Sequence, residues 1–194
     1  NSPNFTIFLR NFYSINIQIG YPSDNFISIY TVVSELKLKK IPIITISVVI
    51  KEGEKIITKN CFDSLTLIKF ILIPPTITYI DIFAFKDCTS LVEITIPNFV
   101  TEIHQNAFEN CSSLKQVLIL SILTYLADFA FKGCLSLTQI KIPNSVIYIG
   151  NNCFDGCSSL ESISIPRSVT YIGSHAFLNC KSLTRISIPH SVTH

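Results

Sequence analysis

From about residue 50 onward, apolar and polar positions recur with a period of 23 residues. Residues 160–182, LESISIPRSVTYIGSHAFLNCKS, show one full period. Ile163 and Ile165 alternate with Ser162 and Ser164, which predicts a short strand with one buried face. Pro166 lacks a backbone donor and ends the strand. Val169 and Ile172 place two more apolar groups inward, and Gly173 permits a tight turn. Ser174–Cys180 is expected to form a short helical turn that carries Ala176, Phe177 and Cys180 inward. Leu183 opens the next period.

The columns are regular. Cysteine recurs at Cys88, Cys111, Cys134, Cys157 and Cys180, and phenylalanine at Phe62, Phe85, Phe108, Phe131, Phe154 and Phe177. Proline recurs at Pro74, Pro97, Pro143, Pro166 and Pro189, and is replaced at Leu120. Apolar columns at such a spacing specify a solenoid, in which each coil supplies the neighbour that the next one needs. Burial within a lone coil falls short of the entropy lost in ordering it.

The run I-P-x-S-V-T-x-I-G-x-x-A-F-x-x-C-x-S-L-x-x-I resembles the BspA-like subclass of leucine-rich repeat proteins. It runs over Ile142–Ile163 and Ile165–Ile186, with looser copies from Ile73 and Ile96 and a weaker one from Ile119. The resemblance implies a right-handed solenoid with a parallel β-sheet along one face, mainly β with minor α. It also implies a surface or secreted adhesion and recognition protein, which is analogy from a fold used for many tasks. The expected organisation is degenerate coils or a cap over 1–49 and a solenoid of about six coils over 50–194, cut at its C-terminal end.

Composition narrows the function classes. The chain has 194 residues, a formal charge of +2 and no methionine. Lys37, Lys39 and Lys40 form its densest basic cluster, too short to argue for nucleic acid. The apolar run Ile41–Ile50 is too short to cross a bilayer. Asn4-Phe5-Thr6 and Asn110-Cys111-Ser112 are glycosylation sequons. With no initiator methionine, a signal peptide cannot be read either way. Location outside the cell follows the resemblance, with a cytoplasmic scaffold as the alternative.

Outward strand positions form the first candidate surface. One column reads Phe70, Glu93, Gln116, Gln139, Ser162, Arg185, and its neighbour Leu72, Thr95, Leu118, Lys141, Ser164, Ser187. Their varied chemistry suits a protein or glycan partner. A third column, Tyr79, Glu102, Tyr125, Tyr148, Tyr171, reads more readily as a cross-strand ladder than as a ligand platform. Around residues 117–126 the polar alternation fails. There Leu118, Leu120 and Ile122, with Phe99 beside Ile122 in its column, are candidates for an exposed apolar patch.

No catalytic or metal constellation emerges. Seven cysteines are an odd number for paired disulfides. Five share one inward column, while Cys61 and Cys153 share that of Ala84, Ala107, Ala130 and Ala176, so buried thiols are expected. Cys153 and Cys157 lack the second pair that a zinc site needs. His175 reads as a turn or surface residue, and His190 and His194 lie where no helix is expected. No nucleophile elbow, phosphate loop or paired-carboxylate pattern is present. The expectation is a non-catalytic module without cofactor, with self-association conceivable through the open last coil.

Overall fold

The computed structural model describes residues 6–9, 14–19, 45–50 and 53–193. Three strands come first: β1 (Thr6–Leu9), β2 (Ser14–Ile19) and β3 (Thr45–Ile50). Thereafter strands of the long sheet alternate with two-residue strands. These are β4 (Ile56–Ile57), β5 (Ile68–Leu72), β6 (Tyr79–Ile80), β7 (Glu93–Ile96), β8 (Glu102–Ile103) and β9 (Gln116–Ile119). The series ends with β10 (Tyr125–Leu126), β11 (Gln139–Lys141), β12 (Tyr148–Ile149), β13 (Ser162–Ser164) and β14 (Tyr171–Ile172).

The long sheet has eight strands in the order β1-β2-β3-β5-β7-β9-β11-β13. All its pairs are parallel except β1 with β2. Two short sheets, β4-β6-β8 and β10-β12-β14, lie on a second side of the coils. Register confirms the sequence period: Gln139 pairs with Gln116 and Ser162, each 23 positions away, and Tyr148 with Tyr125 and Tyr171. The pairing of β3 with β5 slips by one residue between Ile46 and Ser47. Strands of residues 6–50 thus extend the same sheet. The lysine cluster at 37–40 and Asn4 of the first sequon lie outside the described residues.

The core is one continuous column. Phe62, Phe85, Phe108, Phe131, Phe154 and Phe177 stack face to face, with centroids 5.0–5.6 Å apart and planes within 6°. Around them pack the leucines, isoleucines and valines expected to point inward. The outward strand positions alternate with them, as in the exposed–buried–exposed pattern of β11 and β13.

The expected helical turn is not a helix. Among the described residues the third side of each coil is a run of turns. Two residues per coil take left-handed backbone angles there. One column is Asn60, Phe83, Asn106, Phe129, Asn152 and His175; the other is Ser64, Asp87, Asn110, Gly133, Gly156 and Asn179. Twice reversing φ breaks any i→i+4 pattern and turns alternate N–H groups along the solenoid. Thus Phe85 N donates to Ala107 O at 2.8 Å and Asp87 N to Glu109 O at 2.8 Å. Asn, Asp and Gly tolerate this backbone; Phe83 and Phe129 do so less readily. The lysines Lys86 and Lys132 lie over their rings at 5.1 and 5.3 Å. Both lysines reach Glu109, at 3.4 and 3.9 Å.

Replacing Phe154 by alanine removes a fully buried ring and its stacks on Phe131 and Phe177. The expected loss is about 3–5 kcal/mol by urea unfolding. Ser164→Ala, on the exposed face of β13, is expected to stay within about 0.5 kcal/mol of the parent. Equal effects at the two sites would contradict this assignment of inside and outside.

Candidate binding site

The proline column ends each long-sheet strand in a common way. The N–H of the inward valine or isoleucine two residues past the strand turn closes on the proline carbonyl: Ile77 on Pro74, Val100 on Pro97, Val146 on Pro143 and Val169 on Pro166. A serine hydroxyl then ties the turn to the previous coil: Ser145 Oγ donates to Leu123 O, Ser168 Oγ to Val146 O and Ser191 Oγ to Val169 O, at 2.6–2.7 Å.

At Leu120 this device fails. Leucine has the N–H that proline lacks, and it donates to Ile96 O at 3.0 Å. The inter-coil bonding therefore extends to Leu120, and the turn that follows rolls over. Ser121 is buried, with no hydrogen-bond partner for its hydroxyl, while its column mates Asn98, Asn144 and Arg167 are exposed. Leu120 and Ile122 face solvent. Phe99, one coil earlier, also replaces a hydroxyl-bearing residue of the serine column.

The result is an apolar surface across β5, β7 and β9. Leu72, Phe99, Leu120 and Ile122 are 63%, 65%, 51% and 75% exposed. Phe70 and Leu118 add to it from the strands themselves. Phe70, Leu72, Phe99, Leu118 and Leu120 border a groove of about 660 Å³, with Glu93, Thr95, Asn98 and Gln116 as its polar edge, and Ile122 is exposed in the column of Phe99 outside that lining. The sequence-derived residues therefore divide. Glu93, Gln116 and Leu118 line this groove. Gln139, Lys141 and Arg185 are exposed further along the same side of the coils. Tyr125, Tyr148 and Tyr171 lie half-buried on the other, short sheets.

The tyrosine ladder forms only in part. Tyr148 and Tyr171 stack with centroids 4.7 Å apart and planes 7° apart. Tyr125 instead donates its hydroxyl to Glu102 Oε2 at 3.2 Å, an oxygen that His104 Nε2 also meets at 2.8 Å. Tyr79 packs on the ring of His104 at 4.6 Å. The physical reason is Glu102: one carboxylate in an otherwise aromatic column offers its neighbours a charged hydrogen bond stronger than stacking. Burial, followed by the charge of Glu102, pushes the Tyr125 hydroxyl up to about 12.

The cysteine column was legible as packing and turns out to be polar as well. Each thiol donates to the carbonyl of the phenylalanine one coil back: Cys88 to Phe62, Cys111 to Phe85, Cys134 to Phe108, Cys157 to Phe131 and Cys180 to Phe154, at 2.9–3.3 Å. Alanine would fill less space and leave that contact unmade. None of these five, nor Cys153, is in a disulfide. Among the described residues no group of three or more His, Cys, Asp or Glu is placed to hold a metal ion. Also among these residues, no helix is long and apolar enough to cross a membrane.

Stacked coils carrying a parallel sheet on one side define a leucine-rich repeat solenoid. The family model described as BspA type leucine rich repeat region matches residues 43–137 and 124–194 in six copies, and the chain belongs to that family. Among solved structures it is similar to a leucine-rich repeat protein from Eubacterium ventriosum, with 29% identity, a TM-score of 0.69, and 76% of this chain and 40% of that one covered. It is also similar to the T. pallidum leucine rich repeat protein (24% identity, TM-score 0.69, 92% and 77% covered) and to a leucine-rich repeat protein from Bacteroides ovatus (22%, 0.67, 100% and 59%). The last two likenesses show the fold. The chain spans about 40% of the length of the Eubacterium protein. No curated relative matches it. The family and these neighbours are repeat proteins of a fold that generally serves binding and scaffolding.

The thiols impose a pH dependence. Burial pushes Cys111, Cys134 and Cys157 far above the ordinary value of 9.0, and Cys180, on the last described coil, to about 11. The unfolded chain releases these protons near pH 9 while the native chain keeps them. Stability is thus intact below that pH and falls as pH rises through it, by about 1.4 kcal/mol per pH unit for each such thiol. Urea midpoints under reductant should drop between about pH 8 and about pH 10.5, and the slope should be shallower in Cys134→Ala. A flat profile would mean that the column is not protonated and buried.

Proposed function

We propose that the protein is a non-catalytic binding module that holds a protein partner on the groove bordered by Leu72, Phe99, Leu118 and Leu120, together with the exposed Ile122 of the next coil. The observation that supports this most is the pair Phe99 and Ile122. A column whose serines hydrogen-bond between coils carries here two large apolar side chains facing solvent. Replacing a bonded hydroxyl by an exposed ring or branched chain does nothing for the fold, so its use lies outside the fold. An apolar centre with Glu93, Asn98 and Gln116 at its edge is the anatomy of a protein interface. Gln139, Lys141 and Arg185 extend the same side and can widen the contact. Residues 1–49 are read as the cap of this module, and its place of action as the cell surface or outside the cell.

Phe99→Ser with Ile122→Ser restores the column residue at both positions. The double variant should unfold at the same or higher urea concentration than the parent. A partner isolated with the parent protein by cross-linking should bind it at least about tenfold more weakly, as expected when central apolar contacts are lost. Gln139→Ala, outside the groove, should weaken binding less than the double variant does. Unchanged affinity in the double variant would rule out this groove. Antibody labelling of intact, unpermeabilised cells, with a leakage control, tests the location: labelling only after permeabilisation would place the module inside the cell.

A further inference from the structure

The coil of Leu120 also departs from the repeat on its other side. Thr101 N and His104 N bond back to Thr78 O and Ile80 O, and Ile147 N and Gly150 N to Thr124 O and Leu126 O. Among the described residues no equivalent bond joins Thr124 or Ala127 to the coil before. The short strands accordingly divide at this place into two sheets, β4-β6-β8 and β10-β12-β14.

Beside that seam the tyrosine column is continuous in register and broken in space. Tyr125 and Tyr148 are strand partners, yet Tyr125 leans back to Glu102 and Tyr148 leans forward onto Tyr171. Between them opens a cleft of about 420 Å³, lined by the two rings with His104, Gln105, Ala127 and Asp128. Its formal charge is negative. Asp128 lines it, Glu102 lies behind His104, and no lysine or arginine is among the lining residues. Asp128 Oδ1 accepts Asn151 N at 2.7 Å, Oδ2 accepts Asn151 Nδ2 at 3.3 Å, and the Tyr148 hydroxyl also hydrogen-bonds this carboxylate, which leaves it acceptor capacity for one further donor. Gly150 is required by the close stacking of the two coils, since a Cβ there would fall 2.5 Å from both Asp128 N and Asp128 Oδ1 and 2.7 Å from Ala127 C.

We propose that the cleft between Tyr125 and Tyr148 is a subsite for a guanidinium group, the side chain of an arginine on a partner protein. A guanidinium is planar and is attracted by the faces of aromatic rings such as the two tyrosines that line this cleft. Its N–H fork meets the carboxylate of Asp128. Tyr171 covers one face of the Tyr148 ring and leaves the other for the cation. A neutral sugar would use the same rings and gain nothing from the uncompensated negative charge. The subsite is on a different sheet from the apolar groove and stands or falls independently of it.

The test is titration of N-acetyl-arginine methylamide into the whole chain, followed by tyrosine fluorescence, since the protein has seven tyrosines and no tryptophan. N-acetyl-citrulline methylamide, of the same shape without the charge, and methyl α-glucoside are the comparison ligands. Saturable binding of the arginine probe is expected, at least about tenfold tighter than that of the citrulline probe. Asp128→Asn can still accept the Asn151 N–H and should keep the urea midpoint, yet lose binding by about tenfold. Tyr148→Leu, which removes the aromatic face from a second direction, should lose binding comparably. Equal binding of the arginine and citrulline probes would overturn the proposal. So would saturation by the glucoside ahead of the arginine probe, or no saturable change with any ligand.

Discussion

A coil of 23 residues cannot satisfy its own backbone. Alternate N–H groups in the turns of this molecule donate to carbonyls of the next coil, as Phe62 N does to Ala84 O and Ser64 N to Lys86 O, and the phenylalanine of each coil rests on that of the next. Everything else follows from that constraint. It forces identical groups into identical places, because a ring in the wrong register would meet a void on one side and a clash on the other. It also fixes which columns are buried: Ile94, Ile140 and Ile163 share one column, each has a coil on both sides, and each is buried.

The same constraint explains why so much was legible in the sequence. Inward columns are apolar and periodic, so Phe154, Cys157, Ile163 and Ala176 declare themselves by spacing alone. Outward strand positions follow from alternation, and Glu93, Gln116, Gln139 and Arg185 are exposed as expected. What was missed is conformational rather than hydrophobic. The two left-handed columns leave a faint signature, with Asn60, Asn106 and Asn152 in one and Asp87, Asn110 and Gly133 in the other. Phe83, Phe129 and His175 interrupt it, and the run A-F-x-x-C reads as a helical face. A helical period and a turn with alternate reversed φ place the same residues inward, so burial alone cannot separate them.

The cysteine column carries a related lesson. Its thiols are apolar enough to pack against phenylalanine and polar enough to serve a turn carbonyl that already accepts a leucine N–H, as Phe62 O accepts both Leu65 N and Cys88 Sγ. Serine would make the bond and pack less well; alanine would pack and make no bond. A sequence reading that weighs only disulfide, metal or hydrophobe misses this intermediate use, since all three are judged by partners outside the repeat.

Departures from a repeat are more informative than the repeat, because stacking penalises them on two sides at once. Leu120 is one such departure, and its coil departs from the repeat on both sides. Towards the long sheet it adds a ladder bond to Ile96, buries a serine hydroxyl without a partner, and turns Ile122 outward beside Phe99. On the short strands of the same coil β10 is not paired with β8, and Tyr125 bonds back to Glu102. An unsatisfied hydroxyl, lost inter-coil bonds and exposed large side chains each cost stability, and none contributes to the stack. Drift would leave such costs scattered over unrelated coils. Here they converge on the region between Phe99 and Asp128, where the departures at Phe99, Glu102, Leu120 and Ile122 lie beside an apolar groove on one sheet and an acidic aromatic cleft beside the other.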